Sequence, residues 1–107
     1  MRIYLSGPIT GTRDAGERFA EAESLLRIEY PDAQIVNPVH VANGYPELKH
    51  DEYMIVSFAS IDICTHMYQM PGWKMSRGCN QEFGYAFAKR IKIIPPLETE
   101  DVEVEDL

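Results

Sequence analysis

Apolar positions along the chain predict four short strands. Continuous runs of apolar and β-prone residues, which are typical of buried strands, cover residues 2–6, 33–36, 63–70 and 91–94. Each run stops at a turn signal, and these signals are Gly7-Pro8, Asn37-Pro38, Pro71-Gly72 and Pro95-Pro96. Hairpin signals do not occur between the runs, so consecutive strands are expected to be joined by longer connections.

Apolar residues at helical spacing predict three helices between these strands. The first follows Asp14-x-x-Glu17, which has the form of an N-cap with its partner three residues later, and it ends at Pro31-Asp32. The second covers residues 51–61 and the third residues 76–90. The residues expected on the three apolar faces are Phe19, Ala22, Leu25 and Leu26, then Met54, Ile55, Phe58 and Ile61, then Cys79, Phe83, Ala86, Phe87 and Arg90. Residues 39–50, in contrast, are predicted to form an irregular loop.

The order of these elements predicts an α/β domain. Strands that alternate with helices favour a parallel sheet with right-handed crossovers and helices on both faces. The chain has 107 residues, of which 45% are hydrophobic, and this is enough for a single core. We expect one domain over residues 1–97 and an acidic tail over residues 98–107, where Val102 and Val104 leave an edge strand as an alternative.

The charge of the chain narrows the class of partner. The net charge is −7, but six of the acidic residues lie in the tail, so the body is close to neutral. A nearly neutral body argues against broad binding to DNA or RNA. No apolar run approaches the roughly 20 residues of a membrane span, and no signal peptide is recognisable. We therefore expect a soluble, cytoplasmic protein with neither a nucleic acid nor a membrane as its partner.

The cysteines and histidines predict neither a disulfide scaffold nor a metal site. Cys64 and Cys79 are too few and too dispersed for disulfides, and the three histidines lack metal-ligand spacing with them. Cys79 lies near the start of a predicted helix, where a thiol can be activated, but its place on the apolar face favours core packing. We expect no metal and no cofactor.

Candidate chemistry gathers after the strands. In open parallel sheets, ligands bind at the carboxyl ends of the strands, near the switch in strand order. Three segments are expected there, which are residues 6–11, Asn37-Pro38 and residues 71–82. Ser76-Arg77-Gly78 begins the last helix, where free amide groups and the helix dipole favour an anion. The alternative is that Ser76 is only an N-cap and Gly78 only a loop residue.

Glu82 lies about two turns into the same helix. In a partly desolvated cleft its carboxylate could attack an electron-poor carbon or balance an oxocarbenium-like centre. The alternative, which base rates favour for a lone glutamate on a helix, is an ordinary solvated side chain. Trp73 and Tyr85 are open to three interpretations: stacking on a base, contact with another subunit, or core packing.

Taken together, these motifs resemble a known family. Ile3 to Gly11, Met70-Pro71-Gly72-Trp73 and Ser76-x-Gly78-x-x-x-Glu82-x-Gly84-x-Ala86 resemble the DUF4406 proteins over nearly residues 1–95. These small proteins, often encoded by phages or prophages, are relatives of the nucleoside 2-deoxyribosyltransferases and the 2′-deoxynucleoside 5′-phosphate N-hydrolases. The resemblance implies a flavodoxin-like (Rossmann-like) three-layer sandwich with a short four-stranded, mainly parallel sheet. It also implies cleavage of an N-glycosidic bond.

The resemblance further implies roles for individual residues. Glu82 would attack the anomeric carbon, and Tyr4 would position its carboxylate. Ser76 and Gly78 would hold a 5′-phosphate, because the transferases have an aspartate in place of Ser76 and an aspartate would repel that group. The other substrate contacts would come from Ser6, Gly7, Pro8, Ile9, Thr10, Gly11, Asn37, Ser57 and Trp73.

Two family aspartates are replaced in this chain. The one that protonates or holds the leaving base falls on Ser57, and a second falls on Thr65. Serine cannot supply a proton at its ordinary pKa. The resemblance as a whole favours an N-glycosidase or deoxyribosyltransferase acting on a nucleoside 5′-monophosphate. The replacement at Ser57 favours the first alternative, a non-catalytic nucleotide-binding module, and the second alternative is a scaffold that uses the acidic tail.

The resemblance also implies a homodimer or larger homo-oligomer, because relatives complete their sites with a neighbouring subunit.

Overall fold

The computed structural model describes residues 1–9, 14–45 and 47–97. Its strands are β1 (Arg2–Ser6), β2 (Gln34–Val36), β3 (His66–Gln69) and β4 (Lys92–Ile94). Its helices are α1 (Ala15–Glu29), α2 (Val39–Gly44), α3 (His50–Asp62) and α4 (Arg77–Ala88), and a 3₁₀ turn covers Trp73–Met75. The residues for which we predicted substrate contacts at Thr10 and Gly11, and an acidic tail with Val102 and Val104, lie outside the described ranges.

The four strands form one sheet in the order β2-β1-β3-β4, and all three pairings are parallel. This confirms the predicted α/β class, and the strand order is compatible with a flavodoxin-like fold. The chain leaves β1 towards β2 and then returns to the other side of β1 to form β3. The switch in strand order therefore lies between β1 and β3, where Ser6 pairs with Gln69 at the carboxyl ends.

Alternation along β1 separates the two faces of the sheet. Ile3 and Leu5 point to the face covered by α1, whose Phe19, Ala22 and Leu26 belong to the same core cluster. Tyr4 points to the opposite face, where its cluster includes Ile61 of α3 and Ala86 of α4. The sheet thus lies between two helical layers, and Ser6, two residues after Tyr4, shares the face covered by α3 and α4.

The prediction of an irregular loop over residues 39–50 was wrong at its start, where α2 forms. Asn37 Oδ1 accepts a hydrogen bond from the Val39 amide at 3.0 Å, and Pro38 already has helical dihedral angles of −73° and −9°. An asparagine side chain that captures a nearby amide group can begin a helix as readily as it ends a strand. The Asn-Pro pair therefore ends β2 and begins α2.

Two boundary details also differ from the predictions. The third strand begins at His66 and not at Ile63, because the Ile63 and Cys64 amide groups bond to carbonyls of the last turn of α3. Asp14 precedes α1, but its side chain accepts no capping hydrogen bond. Its dihedral angles of −111° and 28° are not the extended ones that direct an N-cap side chain towards the helix.

The buried face of α4 is displaced from the predicted one. Cys79, Glu82 and Ala86 are buried, whereas Phe87 is 71% exposed. A similar displacement occurs on α3, where Ser57 is buried and Ile55 is exposed. In both helices a polar residue takes an inward position that hydropathy alone assigns to an apolar one. No helix among the described residues has the length and apolarity of a membrane span.

Candidate functional site

A cavity of about 470 Å³ opens at the carboxyl ends of the strands. The loop after β1, the N-terminus of α3 and the N-terminus of α4 form its walls. The residues that line it are Leu5, Gly7, Pro8, Ile9, Pro38, His50, Tyr53, Met54, Gly72, Met75, Ser76, Arg77, Gly78, Cys79 and Glu82. This is the position at which an open parallel sheet binds its ligands.

Glu82 is the buried charge of the cavity. Its side chain comes from α4 and is only 6% exposed, yet it lines the cavity. Tyr4 Oη donates to Glu82 Oε2 at 2.7 Å, and Ser6 Oγ donates to Glu82 Oε1 at 2.7 Å. Both carboxylate oxygens are therefore fixed by hydroxyl groups of β1. The solvated glutamate that base rates favoured is not what the structure contains.

Burial and hydrogen bonding act on the Glu82 carboxyl in opposite directions. Burial raises its pKa above the ordinary value of 4.5, because a charge loses hydration in the protein interior. The hydrogen bonds from Ser6 and Tyr4 lower the pKa, since they stabilise the ionised form. Burial also raises the pKa of Tyr4 well above its ordinary value, and the nearby Glu82 charge adds to this. Tyr4 therefore stays a neutral hydrogen-bond donor.

Ser57 lies behind Glu82 and not in the wall of the cavity. Its side chain is 2% exposed, and its Oγ forms no well-aligned hydrogen bond. The hydroxyl group is nevertheless close enough to lower the pKa values of both Tyr4 and Glu82. Ser57 therefore belongs to the environment of the carboxylate, although the resemblance implied a contact with the substrate.

Ser76 was predicted either to contact an anion or to serve only as an N-cap, and the structure is compatible with both roles. Ser76 is the N-cap, and its Oγ accepts a hydrogen bond from the Cys79 amide at 3.2 Å. The hydroxyl proton is still available for a ligand, and Ser76 lines the cavity. The Asn80 amide bonds to the Ser76 carbonyl. The amide groups of Arg77 and Gly78 have no acceptor among the described residues, as is typical of a first helical turn.

Gly7 and Gly78 differ in how much room the structure leaves for a side chain. A Cβ on Gly7 would lie 2.5 Å from Met70 Sδ, so the core of the sheet requires glycine there. A Cβ on Gly78 would meet nothing closer than Met54 Sδ at 3.6 Å, which is an ordinary contact. Packing alone does not require glycine at position 78, and its absent side chain leaves the α4 amide groups open to the cavity.

Asn37 and Trp73 are not brought into the cavity. The Asn37 amide donates to Glu23 Oε1 at 3.3 Å and its oxygen begins α2. Trp73 packs against Phe83, with ring centroids 5.3 Å apart. Pro8 and Ile9 line the cavity beside Gly7, as predicted. The described structure gives Asn37 and Trp73 structural contacts, so their roles as substrate contacts stay predictions.

His50, Tyr53 and Arg77 line the cavity although the sequence analysis assigned them no contact with a ligand. His50 was placed in a loop, because the helical pattern was taken to begin one residue later. Arg77 was visible as a basic residue at a helix start, where the dipole disfavours a cation. Burial and the Glu82 charge raise the pKa of Tyr53, so this phenol is a neutral part of the wall.

The remaining reactive groups do not alter this arrangement. Cys79 is buried and burial raises the pKa of its thiol, as expected for a core cysteine and not for an activated nucleophile. Within the described ranges, no group of three or more histidine, cysteine, aspartate or glutamate side chains is placed to hold a metal ion.

The fold and the site define a class of protein: a small parallel α/β domain with a hydroxyl-bound carboxylate in a cavity at its strand ends. The chain belongs to the family described as "Domain of unknown function (DUF4406)", whose family model matches residues 1–95. No curated protein and no solved structure matches the chain.

Proposed function

We propose that the protein is a cytoplasmic N-glycosidase, or a related deoxyribosyltransferase, that cleaves the N-glycosidic bond of a nucleoside or 2′-deoxynucleoside 5′-monophosphate. The observation that carries the proposal is the Glu82 carboxylate, which is buried in a cavity and held by Tyr4 and Ser6. Burial of a carboxylate is costly, and such groups occur where a site uses the charge. The resemblance to deoxyribosyltransferases and N-hydrolases supports the same chemistry.

In this mechanism Glu82 is the nucleophile. One carboxylate oxygen bonds to the anomeric carbon as the carbon–nitrogen bond breaks, and the base leaves with the bonding electron pair and takes up a proton. Water then attacks the anomeric carbon of the glycosyl ester, the ester bond breaks, and Glu82 returns to its ionised form. In a transferase, a second base replaces the water. Hydrogen bonds from Tyr4 and Ser6 stabilise the ionised carboxylate and fix its orientation.

The spacing of Gly78 and Glu82 supports a monophosphate as the substrate. They are four positions apart, so they share one face of α4 and lie about 6 Å apart along its axis. This is comparable to the distance between the anomeric carbon and the phosphorus of a nucleoside 5′-phosphate. A phosphate at the free amide groups of the helix start would therefore leave the anomeric carbon near Glu82.

Protonation of the leaving base is the step of the mechanism that the described residues support least. Glu82 is the one carboxyl group among the described residues that line the cavity. The resemblance implies an aspartate at the position of the buried Ser57. The proton that the leaving nucleobase takes up would then come from water. We expect slow turnover, because general acid catalysis typically contributes about 10²–10⁴-fold to a rate.

The test is a product assay of the purified full chain against nucleoside and deoxynucleoside monophosphates and the free nucleosides. Released base is separated by chromatography. We expect release from at least one monophosphate, and its loss in Glu82→Gln, which keeps the shape of the side chain. If Glu82→Gln releases base as fast as the wild-type chain from every substrate, Glu82 is not the nucleophile.

A non-catalytic nucleotide-binding module is the second candidate, and the replacement of the family aspartate by Ser57 is the observation that favours it. Such a module would bind a monophosphate without releasing the base, and Glu82→Gln would bind it as tightly. Heat stabilisation of the chain by monophosphates, combined with the absence of product, would favour this candidate.

The proposal also includes a homodimer or larger homo-oligomer. Four large apolar side chains on or next to α3 and α4 are more than half exposed, and these are Ile55, Ile63, Met75 and Phe87. Exposed apolar patches often mark an interface. Sedimentation analysis of the wild-type chain and of Phe87→Glu tests this, since a dimer that buries Phe87 would dissociate in the variant.

A further inference from the structure

Two helices begin at the same cavity, and each begins with a basic or titratable residue. His50 is the first residue of α3 and Arg77 the first residue of α4, and both line the cavity. Cations at a helix N-terminus oppose the dipole, and the first turn of α4 contains no acidic residue to offset Arg77.

Arg77 has no competing partner among the residues that the structure describes. Its side chain is exposed, and among the described residues it forms no ion pair and no side-chain hydrogen bond. An arginine guanidinium carries five N–H donors and stays charged at all physiological pH values. Arg77 is thus a free cation beside two free amide groups at the start of α4.

His50 is held in place from α4. Its Nε2 and Gln81 Oε1 are 2.8 Å apart, so the imidazole links the start of α3 to the second turn of α4. Its Cε1 would lie 3.8 Å from a Cβ on residue 78. The ring therefore faces the gap that Gly78 leaves open.

We propose that His50 and Arg77 together form the recognition site for a terminal phosphate, with the amide groups of Arg77 and Gly78 and the Ser76 hydroxyl completing it. This rests on the proposed function, because it names the groups that distinguish a nucleoside 5′-monophosphate from the free nucleoside. Charge-assisted hydrogen bonds from Arg77 give the largest part of the discrimination. His50 closes the site from α3.

The experiment measures how strongly the chain prefers a monophosphate to the nucleoside with the same base. The four deoxynucleoside monophosphates and the four deoxynucleosides are titrated by calorimetry against the full chain carrying Glu82→Gln, so that no ligand is consumed. Arg77→Gln and His50→Gln are added singly. Lys92→Gln is the matched control, because it also removes an exposed positive charge, but at the first residue of β4, at the amino end of the parallel strands, whereas the cavity opens at their carboxyl ends.

We expect the parent to bind at least one monophosphate tenfold or more tightly than its nucleoside. Arg77→Gln reduces that ratio by about tenfold or more, as for a lost hydrogen bond between charged groups. His50→Gln reduces it by a smaller factor, and Lys92→Gln leaves it within twofold. The melting temperature of Arg77→Gln stays equal or rises, since a cation leaves the positive end of α4. A purely structural role for Arg77 would lower it.

A ratio that is unchanged in both Arg77→Gln and His50→Gln overturns the inference, and so does a parent that shows no preference for a monophosphate. These results are separable from the proposed function. Base release by the wild-type chain with an unchanged ratio removes only the recognition site. A reduced ratio without base release keeps the recognition site and leaves a binding module as the function.

Discussion

Gly78 and Glu82 lie one turn apart on the same face of α4, and both line the cavity. The first contributes an open backbone and the second a buried carboxylate. The two ends of a small phosphorylated ligand are thereby assigned to one rigid helix, whose position is fixed by Cys79 and Ala86 in the core. This helix therefore contributes both to the core and to the candidate ligand site.

Gly78→Ala is expected to weaken the binding of monophosphates without harming the fold. The added methyl group makes only ordinary contacts, but it lies between Met54 and His50 at the open amide groups. Gly84→Ala is the matched control, because a Cβ there meets nothing within 4 Å. Each change should raise the free energy of unfolding by up to about 1 kcal/mol, since alanine favours helix. Urea denaturation and calorimetric titration give the two quantities. Equal ligand affinity in the two variants would contradict the prediction.

Tyr4→Phe is expected to destabilise the chain at neutral pH. It removes the donor to Glu82 Oε2 and leaves a buried carboxylate less well solvated, at a cost of about 1–3 kcal/mol. Tyr85→Phe is the control, since it also removes a tyrosine–carboxylate hydrogen bond, in this case to the exposed Asp62. Urea denaturation should show a much smaller change for Tyr85→Phe. Equal decreases in the free energy of unfolding in the two variants would contradict the prediction, because the buried carboxylate would then depend on its hydrogen-bond donor no more than the exposed one does.

Glu82 is expected to make the chain less stable as the pH rises. Its pKa in the folded chain lies above 4.5, so the folded state binds more protons than the unfolded state between these values. The contribution to stability is complete below pH 4.5 and is lost as the pH rises through the folded pKa. Glu82→Gln lacks this titration. The unfolding free energy of the wild-type chain minus that of Glu82→Gln should therefore fall from acid to neutral pH. A difference that is constant, or that rises, would contradict the sign.

Gly7→Ala is expected to lose stability at the start of the cavity loop. The new Cβ would lie 2.5 Å from Met70 Sδ, and such overpacking typically costs about 1–3 kcal/mol. Gly16→Ala is the control, since a Cβ there meets nothing within 4 Å. Adding Met70→Ala to Gly7→Ala should cost less than the sum of the two single changes, because the clash disappears. Strict additivity in urea denaturation would show that Met70 is not the group that excludes a side chain.

The sequence was sufficient for the arrangement of elements, because strand ends and helix faces are local properties. The runs at residues 2–6 and 33–36 match β1 and β2 closely, and the third helix matches α4. The Asn37-Pro38 signal was ambiguous, because the same side chain can end a strand and begin a helix. Pattern alone also could not reveal that Glu82 and Ser57 point inwards. That depends on hydroxyl groups of β1, which is far away in the chain.

The residues of the candidate site also divide into those that local sequence patterns predicted and those that depend on distant parts of the chain. Ser76, Gly78, Glu82 and the loop after β1 were predicted from their places at strand and helix ends, and the structure brings them together around one cavity. His50 and Tyr53 were missed, because their helix follows a connection whose path no local pattern specifies. Asn37 stands at a strand end as predicted, but on the outer strand β2, and its amide is taken up by Glu23 and by the start of α2.

The hydrogen bonds of Glu82 join residues that are 78 and 76 positions apart in the chain. Because β1 precedes α4 in the chain, its two hydroxyl groups are synthesised before the helix that carries the carboxylate. Nascent chains that stop before α4 lack the carboxylate, the helix start and one wall of the cavity together. The site is therefore complete only once α4 has been synthesised and has packed against the sheet.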